Sequence, residues 1–125
     1  MRTIFPLLAL LFACNEATTP EPTRIELVDE GVACLDGDEV LVDFEQCLSS
    51  SCDTLIEAGC TATLEGDTLT ITAAAAIDSL QGTDVACTDD CGFVEARCDL
   101  PEGWEAATTI VYGETTEVEA TCAVR

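Results

Sequence analysis

The feature that most constrains this sequence is its cysteine content. Nine cysteines lie in 125 residues, and eight of them fall between residues 34 and 122. In a short chain, an even set of closely spaced cysteines is typical of a disulfide framework in an exported domain. We therefore predict four disulfides among Cys34, Cys47, Cys52, Cys60, Cys87, Cys91, Cys98 and Cys122.

Eight cysteines allow about a hundred different pairings, so their number alone does not define the connectivity. We predict that Cys34 pairs with Cys122, which ties the first part of the domain to its last strand. The other six cysteines then pair among themselves in the middle of the domain.

Zinc is the competing explanation for the cysteines, because Cys47-x4-Cys52 and Cys87-x3-Cys91 are close pairs. Zinc sites usually contain CxxC or Cys/His patterns, and this chain has no CxxC and no histidine. We therefore favour disulfides over a metal, and we expect no disulfide-exchange site.

Acidic residues dominate the charge of the chain. It contains 25 Asp and Glu residues, four arginines and no lysine, for a net charge of −21. Such a surface repels phosphate backbones and anionic lipid, so we expect no nucleic-acid partner and no electrostatic adhesion to membranes. Three explanations of the acidity stay open: solubility, adaptation to a saline medium, and capture of cations or a basic partner.

The first 13 residues have the pattern of a cleaved export signal. A positive start at Met1-Arg2 is followed by the apolar residues 4–12 and by the small residue Ala13. Nine apolar residues are too few for a bilayer span, which needs roughly 20 residues in a helix. Residues 1–13 are therefore predicted to be a signal peptide.

Leu11-Phe12-Ala13-Cys14 resembles the lipobox of bacterial lipoproteins. The resemblance implies cleavage before Cys14, diacylglycerol on its thiol, and anchoring to a membrane through acyl chains. Because no Asp follows Cys14, it further implies the outer membrane. The alternative is an ordinary signal peptide with a chance cysteine. The polar, Pro-containing residues 14–23 are then a flexible tether, and residues 24–125 form the domain.

Hydrophobic and polar residues alternate through most of that domain. Residues 60–64 and 68–72 alternate on either side of Glu65-Gly66-Asp67, which predicts a hairpin. A second hairpin over residues 31–44 is predicted to turn at Asp36-Gly37-Asp38, with Val40, Val42 and Phe44 facing inward from its second arm. Further strands are predicted at residues 24–27, 94–98, 110–112 and 118–124. About seven short strands predict an all-β fold, a small disulfide-rich antiparallel β-sandwich of the immunoglobulin-like or a similar kind.

Two segments do not follow this alternation. Residues 47–58 have no clean period of two, and we predict a short helical turn near residues 50–58 or an irregular loop pinned by its cysteines. The four alanines at residues 73–76 fit either a strand end or a helix.

A wider resemblance rests on Cys47-Leu48-Ser49-Ser50-Ser51-Cys52-Asp53-Thr54, on Cys60 with the threonine-rich hairpin, and on Cys87-Thr88-Asp89-Asp90-Cys91-Gly92 followed by Cys98 and Tyr112-Gly113. Together these segments resemble small cysteine-rich lipoproteins of Gram-negative bacteria. The resemblance extends roughly from Phe44 to Val118, with Cys34 and Cys122 as additions. It implies an exported, anchored β domain and carries no known activity.

Catalytic groups are scarce in this sequence. Without histidine or lysine, Ser–His–Asp, Cys–His and Schiff-base arrangements are excluded. No phosphate-binding loop is present, and we expect no cofactor. Paired carboxylates remain, so a small carboxylate hydrolase is kept as an alternative.

Calcium is the more serious site hypothesis. Asp36 and Asp38 lie in one predicted turn, and Asp89 and Asp90 lie in another, where carboxylates supply the hard oxygen ligands that calcium prefers. Neither segment has the EF-hand order, and Asp and Gly are common in turns for steric reasons and through local hydrogen bonding, so these four residues are weak candidates. In the same way, Trp104 either anchors a partner or folds over the edge of the sandwich.

We predict from the sequence a lipid-anchored bacterial lipoprotein of the outer membrane or cell surface. Its domain is expected to act as a structural or protein-interaction module without catalytic activity, with an unidentified protein or envelope partner. A calcium-dependent adhesion or ligand-binding domain is the first alternative.

Overall fold

The computed structural model describes residues 20–114, 118, 121 and 122. Within these residues the chain forms seven strands and no α-helix. A short 3-10 helix, Trp104–Ala106, precedes the seventh strand. The strands are β1 Thr23–Val28, β2 Val32–Asp36, β3 Glu39–Leu48, β4 Asp53–Glu65, β5 Thr68–Ser79, β6 Gly92–Asp99 and β7 Thr109–Tyr112.

The strands are arranged in two sheets that pack face to face. In the first sheet the strand order is β1-β5-β4. Strand β7 lies on the same side of β5 as β1: it pairs with residues 68–71 of β5, whereas β1 pairs with residues 74–79. The second sheet has the order β2-β3-β6. The predicted all-β, disulfide-rich sandwich is therefore confirmed.

The core lies between the sheets and follows from the alternation of apolar residues. Inward-facing residues of β3, such as Val40, Val42 and Phe44, pack in one cluster with Ile71 and Ile77 of β5. Much of the rest is small: Ala33, Ala73, Ala75 and Ala96 also belong to this cluster. The predicted inward row of β3 is confirmed.

Both predicted hairpins are formed where the turn residues place them. Asp36 pairs with Glu39 across one turn, and Glu65 pairs with Thr68 across the other. Gly37 and Gly66 have φ angles of 64° and 61°, a conformation that glycine adopts without the steric cost that a side chain adds. Their position in the sequence is why the two turns could be predicted.

The predicted helical turn near residues 50–58 is limited to one turn, in which the backbone N–H groups of Cys52 and Asp53 donate to the carbonyl of Ser49, and the rest of the predicted segment is strand. Residues 50–52 form a turn, and β4 begins at Asp53 and continues to Glu65. The register shifts between Leu55 and Glu57, so Ile56 is an extra residue in the ladder and the period of two is lost there. The ambiguous residues 73–76 belong to β5.

Strand β7 departs from the antiparallel pattern, because it runs parallel to β5. The predicted strand over residues 118–124 falls largely outside the described residues. Of its residues, Cys122 donates its backbone N–H to the carbonyl of Leu35, at a distance of 3.1 Å, and so lies beside β2.

Four disulfides join the eight cysteines of the domain. Cys34 pairs with Cys122, as predicted. The remaining pairs, which the sequence left open, are Cys47–Cys91, Cys52–Cys87 and Cys60–Cys98. The last of these joins β4 to β6 and so connects the two sheets.

Two phenylalanines of the second sheet provide a matched test of this core. The side chain of Phe44 is 2% exposed, whereas that of Phe93 is 66% exposed. We expect Phe44→Ala to lower the free energy of unfolding by about 3–5 kcal/mol, because it removes a buried ring and leaves a cavity. Phe93→Ala should cost less than about 1 kcal/mol. Urea unfolding of both variants measures the difference, and equal losses would contradict the described packing.

Candidate binding cleft at the disulfide-clamped end

Two of the disulfides clamp a pair of short loops together at one end of the sandwich. Cys47–Cys91 and Cys52–Cys87 join the segment 47–53 to the segment 87–91. We call these two segments the clamped end. Cys52–Cys87 joins the β3–β4 connection to the long loop that precedes β6, and Cys47–Cys91 joins the end of β3 to the same loop.

Hydroxyl groups fill the space between the clamped loops. The hydroxyls of Ser49 and Thr88 lie 2.9 Å apart, and the Thr88 backbone N–H donates to the Ser51 hydroxyl at 2.9 Å. The carboxylate of Asp90 accepts hydrogen bonds from the Thr88 hydroxyl and from the Ser50 backbone N–H. These bonds, first from Thr88 and then from Ser50, lower the pKa of Asp90 to about 2.

Asp53 connects the clamped end to the end of β5. Its carboxylate accepts hydrogen bonds from the Ser79 hydroxyl at 2.5 Å, the Gln81 side-chain amide at 2.6 Å and the Ser49 backbone N–H at 2.8 Å. Burial by itself raises the pKa of Asp53, but the three hydrogen bonds together hold it below its ordinary value. Asp53 is therefore a fixed negative charge at neutral pH.

A cleft of about 400 Å³ opens beside Asp53, between the two sheets. It exists because β2 pairs with β3 only as far as Asp43, whereas β3 continues to Leu48. The first residues of β1 and the end of β3 therefore line the same cleft. The residues that line the cleft are Thr23, Ile25, Gln46, Cys47, Leu48, Asp53, Ile77, Ser79 and Gln81.

The chemistry of this cleft is mixed. Ile25, Leu48 and Ile77 supply an apolar floor, and Ile25 is 39% exposed although it points toward the partner sheet. Gln46 and Gln81 are exposed at its rim. An apolar floor beside a few oriented polar groups is the usual composition of a ligand site in proteins.

The four calcium candidates lie at opposite ends of the sandwich. Asp36 and Asp38 are in the β2–β3 turn, where Arg97 donates to the Asp36 carboxylate at 2.9 Å. Asp89 and Asp90 are in the clamped end, and Asp90 is engaged by Thr88 and Ser50. The structure therefore does not bring the two pairs together. Among the described residues, no group of three or more Asp, Glu, Cys or His side chains is arranged to hold a metal ion.

Other predicted site residues have simpler positions. Trp104 is half-buried and packs against the core from the 3-10 helix. Cys14, the predicted lipid attachment site, lies outside the described residues. Sequence reasoning missed Asp53 and Ile25, because the cleft depends on where β2 ends, and no local pattern encodes that length.

No protein-family model matches the chain, and no curated protein or solved structure is significantly similar to it. Its fold and disulfides define a small disulfide-rich all-β domain. In the part of the chain that the structure describes, no helix has the length and apolar character needed to cross a bilayer.

The hydrogen bonds of Asp53 can be tested by a nearly isosteric change. We expect Asp53→Asn to lower the free energy of unfolding at pH 7 by about 1–3 kcal/mol, because an amide cannot accept from all three donors. Asp84→Asn is the control, since Asp84 is exposed in a loop, and it should stay within about 0.5 kcal/mol of the parent. Urea unfolding measures both, and similar values for the two variants would refute the role given to Asp53.

The stability of the clamped end at low pH depends on the ionisation of Asp90. Because its pKa is lower in the folded state than in the unfolded state, Asp90 stabilises the fold above about pH 4, and this contribution disappears as the pH falls toward 2. We expect the melting temperature of Asp90→Asn to fall less than that of the parent between pH 4 and pH 2. The neighbouring Asp89→Asn should follow the parent curve. A parent and an Asp90→Asn curve that stay parallel would exclude this assignment.

Proposed function

We propose that the chain is an exported lipoprotein, anchored in the outer membrane through acyl chains on Cys14, whose domain binds a partner protein and catalyses no reaction. The apolar residues 4–12 direct export in this proposal, and residues 14–22 connect the lipid to β1. The resemblance to small cysteine-rich lipoproteins of Gram-negative bacteria belongs to the same proposal.

The observation that carries the proposal is the pairing of the cysteines. The four disulfides use all eight cysteines from Cys34 to Cys122, so Cys14 has no cysteine left to pair with in the chain. Oxidised pairs are typical of exported domains. A ninth cysteine that directly follows an apolar stretch and a small residue is the position at which lipoproteins carry their acyl chains.

The geometry of the domain agrees with attachment at its first strand. Pro20 and Pro22 border the same shallow cavity as residues 50–54, so the chain reaches the domain beside the clamped end. The two hairpin turns lie at the opposite end of the sheets, because β3 and β5 each run between a turn and the clamped end. An anchored domain would therefore direct its acidic turns away from the lipid.

A binding role is favoured over catalysis by the chemical groups present. The chain has neither histidine nor lysine, and two of the described carboxylates with lowered pKa values, Asp53 and Asp90, are stabilised in the charged form by neutral donors. A general acid needs a raised pKa instead. The exposed apolar side chains and the cleft are features of a binding surface.

Intact-mass analysis of the membrane-extracted protein tests the anchoring. We expect the chain to begin at Cys14, to carry the added mass of a glyceride and acyl chains, and to gain eight hydrogens on reduction. Cys14→Ala should lose the lipid mass and move from the membrane fraction to the soluble fraction, because a single site carries the acyl chains.

The double variant Cys34→Ala/Cys122→Ala is the matched control for this experiment. It removes one disulfide and leaves Cys14 intact, so it should keep the lipid and gain six hydrogens on reduction. An unmodified parent chain in the soluble fraction would contradict the proposed anchoring.

A further inference from the structure

The cleft between β1 and the end of β3 has an apolar floor that is partly exposed to solvent. Ile77 is 3% exposed, but its cross-strand neighbour Ile25 remains 39% exposed because β2 does not extend over it. Leu48 of β3 is half-buried beside them. These three side chains offer room for one apolar side chain of a partner.

The backbone next to the cleft is also available for pairing. Among the described residues, β1 is hydrogen-bonded to β5 along one side and to no strand along its other side. A strand at the edge of a sheet presents unpaired N–H and C=O groups to an incoming extended segment. In such β-strand addition, main-chain hydrogen bonds supply affinity, and every second side chain of the added strand enters a pocket.

Charge restricts the kind of segment that fits. Among the described residues, Asp53 is the one charged residue that lines the cleft, and three hydrogen-bond donors hold it in its ionised form. Acidic residues Glu26 and Glu45 adjoin the lining residues Ile25 and Gln46 in sequence, and the chain as a whole carries a net charge of −21. The basic residue next to Ile25, Arg24, is paired with Asp78 at 2.5 Å. A second copy of the chain or any acidic segment is therefore repelled, whereas a basic segment is attracted.

We infer that the free edge of β1 and the cleft beside it bind an extended segment of a partner protein in which basic residues alternate with apolar ones. One apolar side chain contacts Ile25, Leu48 and Ile77, and the basic side chains lie near Asp53 and the acidic residues around the rim. This inference rests on the proposed function, since it describes the partner of the same module.

Two peptides of equal charge provide the test. The first is an eight-residue peptide of alternating lysine and valine, and the second has serine in place of each valine. We expect the purified chain, in the detergent used to extract it, to bind the lysine–valine peptide at about 0.15 M salt by calorimetry. The lysine–serine peptide should bind at least about tenfold more weakly, because only the apolar contact is missing. Equal affinities would show that the net charge alone attracts the peptide, and would overturn the inference.

Variants locate the site. Ile25→Ser should weaken binding of the lysine–valine peptide about tenfold, whereas Ile56→Ser should not change it. Ile56 is the matched control, because it is also an isoleucine in an edge strand, is 45% exposed and does not line the cleft. Gln46→Lys adds a positive charge, the same sign as that of the peptide, at the rim of the cleft. It should weaken binding of the peptide without removing any apolar contact. An equal loss in Ile25→Ser and Ile56→Ser excludes the cleft.

Hydrogen exchange of the parent chain locates the bound peptide without any substitution, so it applies even if Ile25→Ser fails to fold. The lysine–valine peptide should slow exchange of the backbone amides in residues 23–28, and protection confined to other strands would overturn the proposal. Lipid on Cys14 is measured separately by mass. A lipidated chain that does not bind the peptide therefore counts against the cleft alone, and an unlipidated chain that binds it counts against the anchoring alone.

Discussion

The fold depends on four covalent cross-links that oppose the electrostatic repulsion of the chain. A net charge of −21 on 125 residues disfavours any compact state. The apolar core that opposes this repulsion is small and contains several alanines, such as Ala33, Ala73 and Ala75. The disulfides close loops of 35 to 88 residues, and bridges over such lengths each contribute about 3–4 kcal/mol by restricting the unfolded chain. Without them, the acidic surface and the modest core are difficult to reconcile with a stable domain.

The positions of the bridges follow the places where backbone pairing ends. Cys60–Cys98 joins β4 to β6, which are neighbouring edge strands of different sheets and share no described ladder. Cys34–Cys122 fastens the last segment to β2. The clamped end holds two loops in which hydroxyls, rather than a strand ladder, make the contacts. Cys60–Cys98 therefore connects two strands that share no described ladder, whereas Cys34–Cys122 lies beside the backbone hydrogen bond from Cys122 to Leu35.

How far the sequence predicts this structure depends on the range of the interaction concerned. The hairpins at Gly37 and Gly66 and the inward rows of β3 and β5 are local, so alternation and turn residues were sufficient to predict them. Residues 53–59 of β4 were missed as strand because the bulge at Ile56 interrupts the alternation, whereas residues 60–64 were predicted. The parallel pairing of β7 and the cleft beside β1 depend on the lengths of distant strands, which no short pattern encodes. The pairing of Cys34 with Cys122 was predicted because they are the first and the last of the eight cysteines of the domain.

The acidic surface and the open edge of β1 are best understood together. An uncovered edge strand with exposed apolar side chains, such as Ile25 and Val28, is normally a site of self-association. In this chain, any second copy that approaches the edge carries the same large negative charge and is repelled at separations up to about a Debye length, roughly 8 Å at physiological salt. A basic segment meets no such barrier. The negative charge that destabilises the fold therefore also determines which segments can pair with the open edge of β1. The disulfides stabilise the domain and leave that edge uncovered.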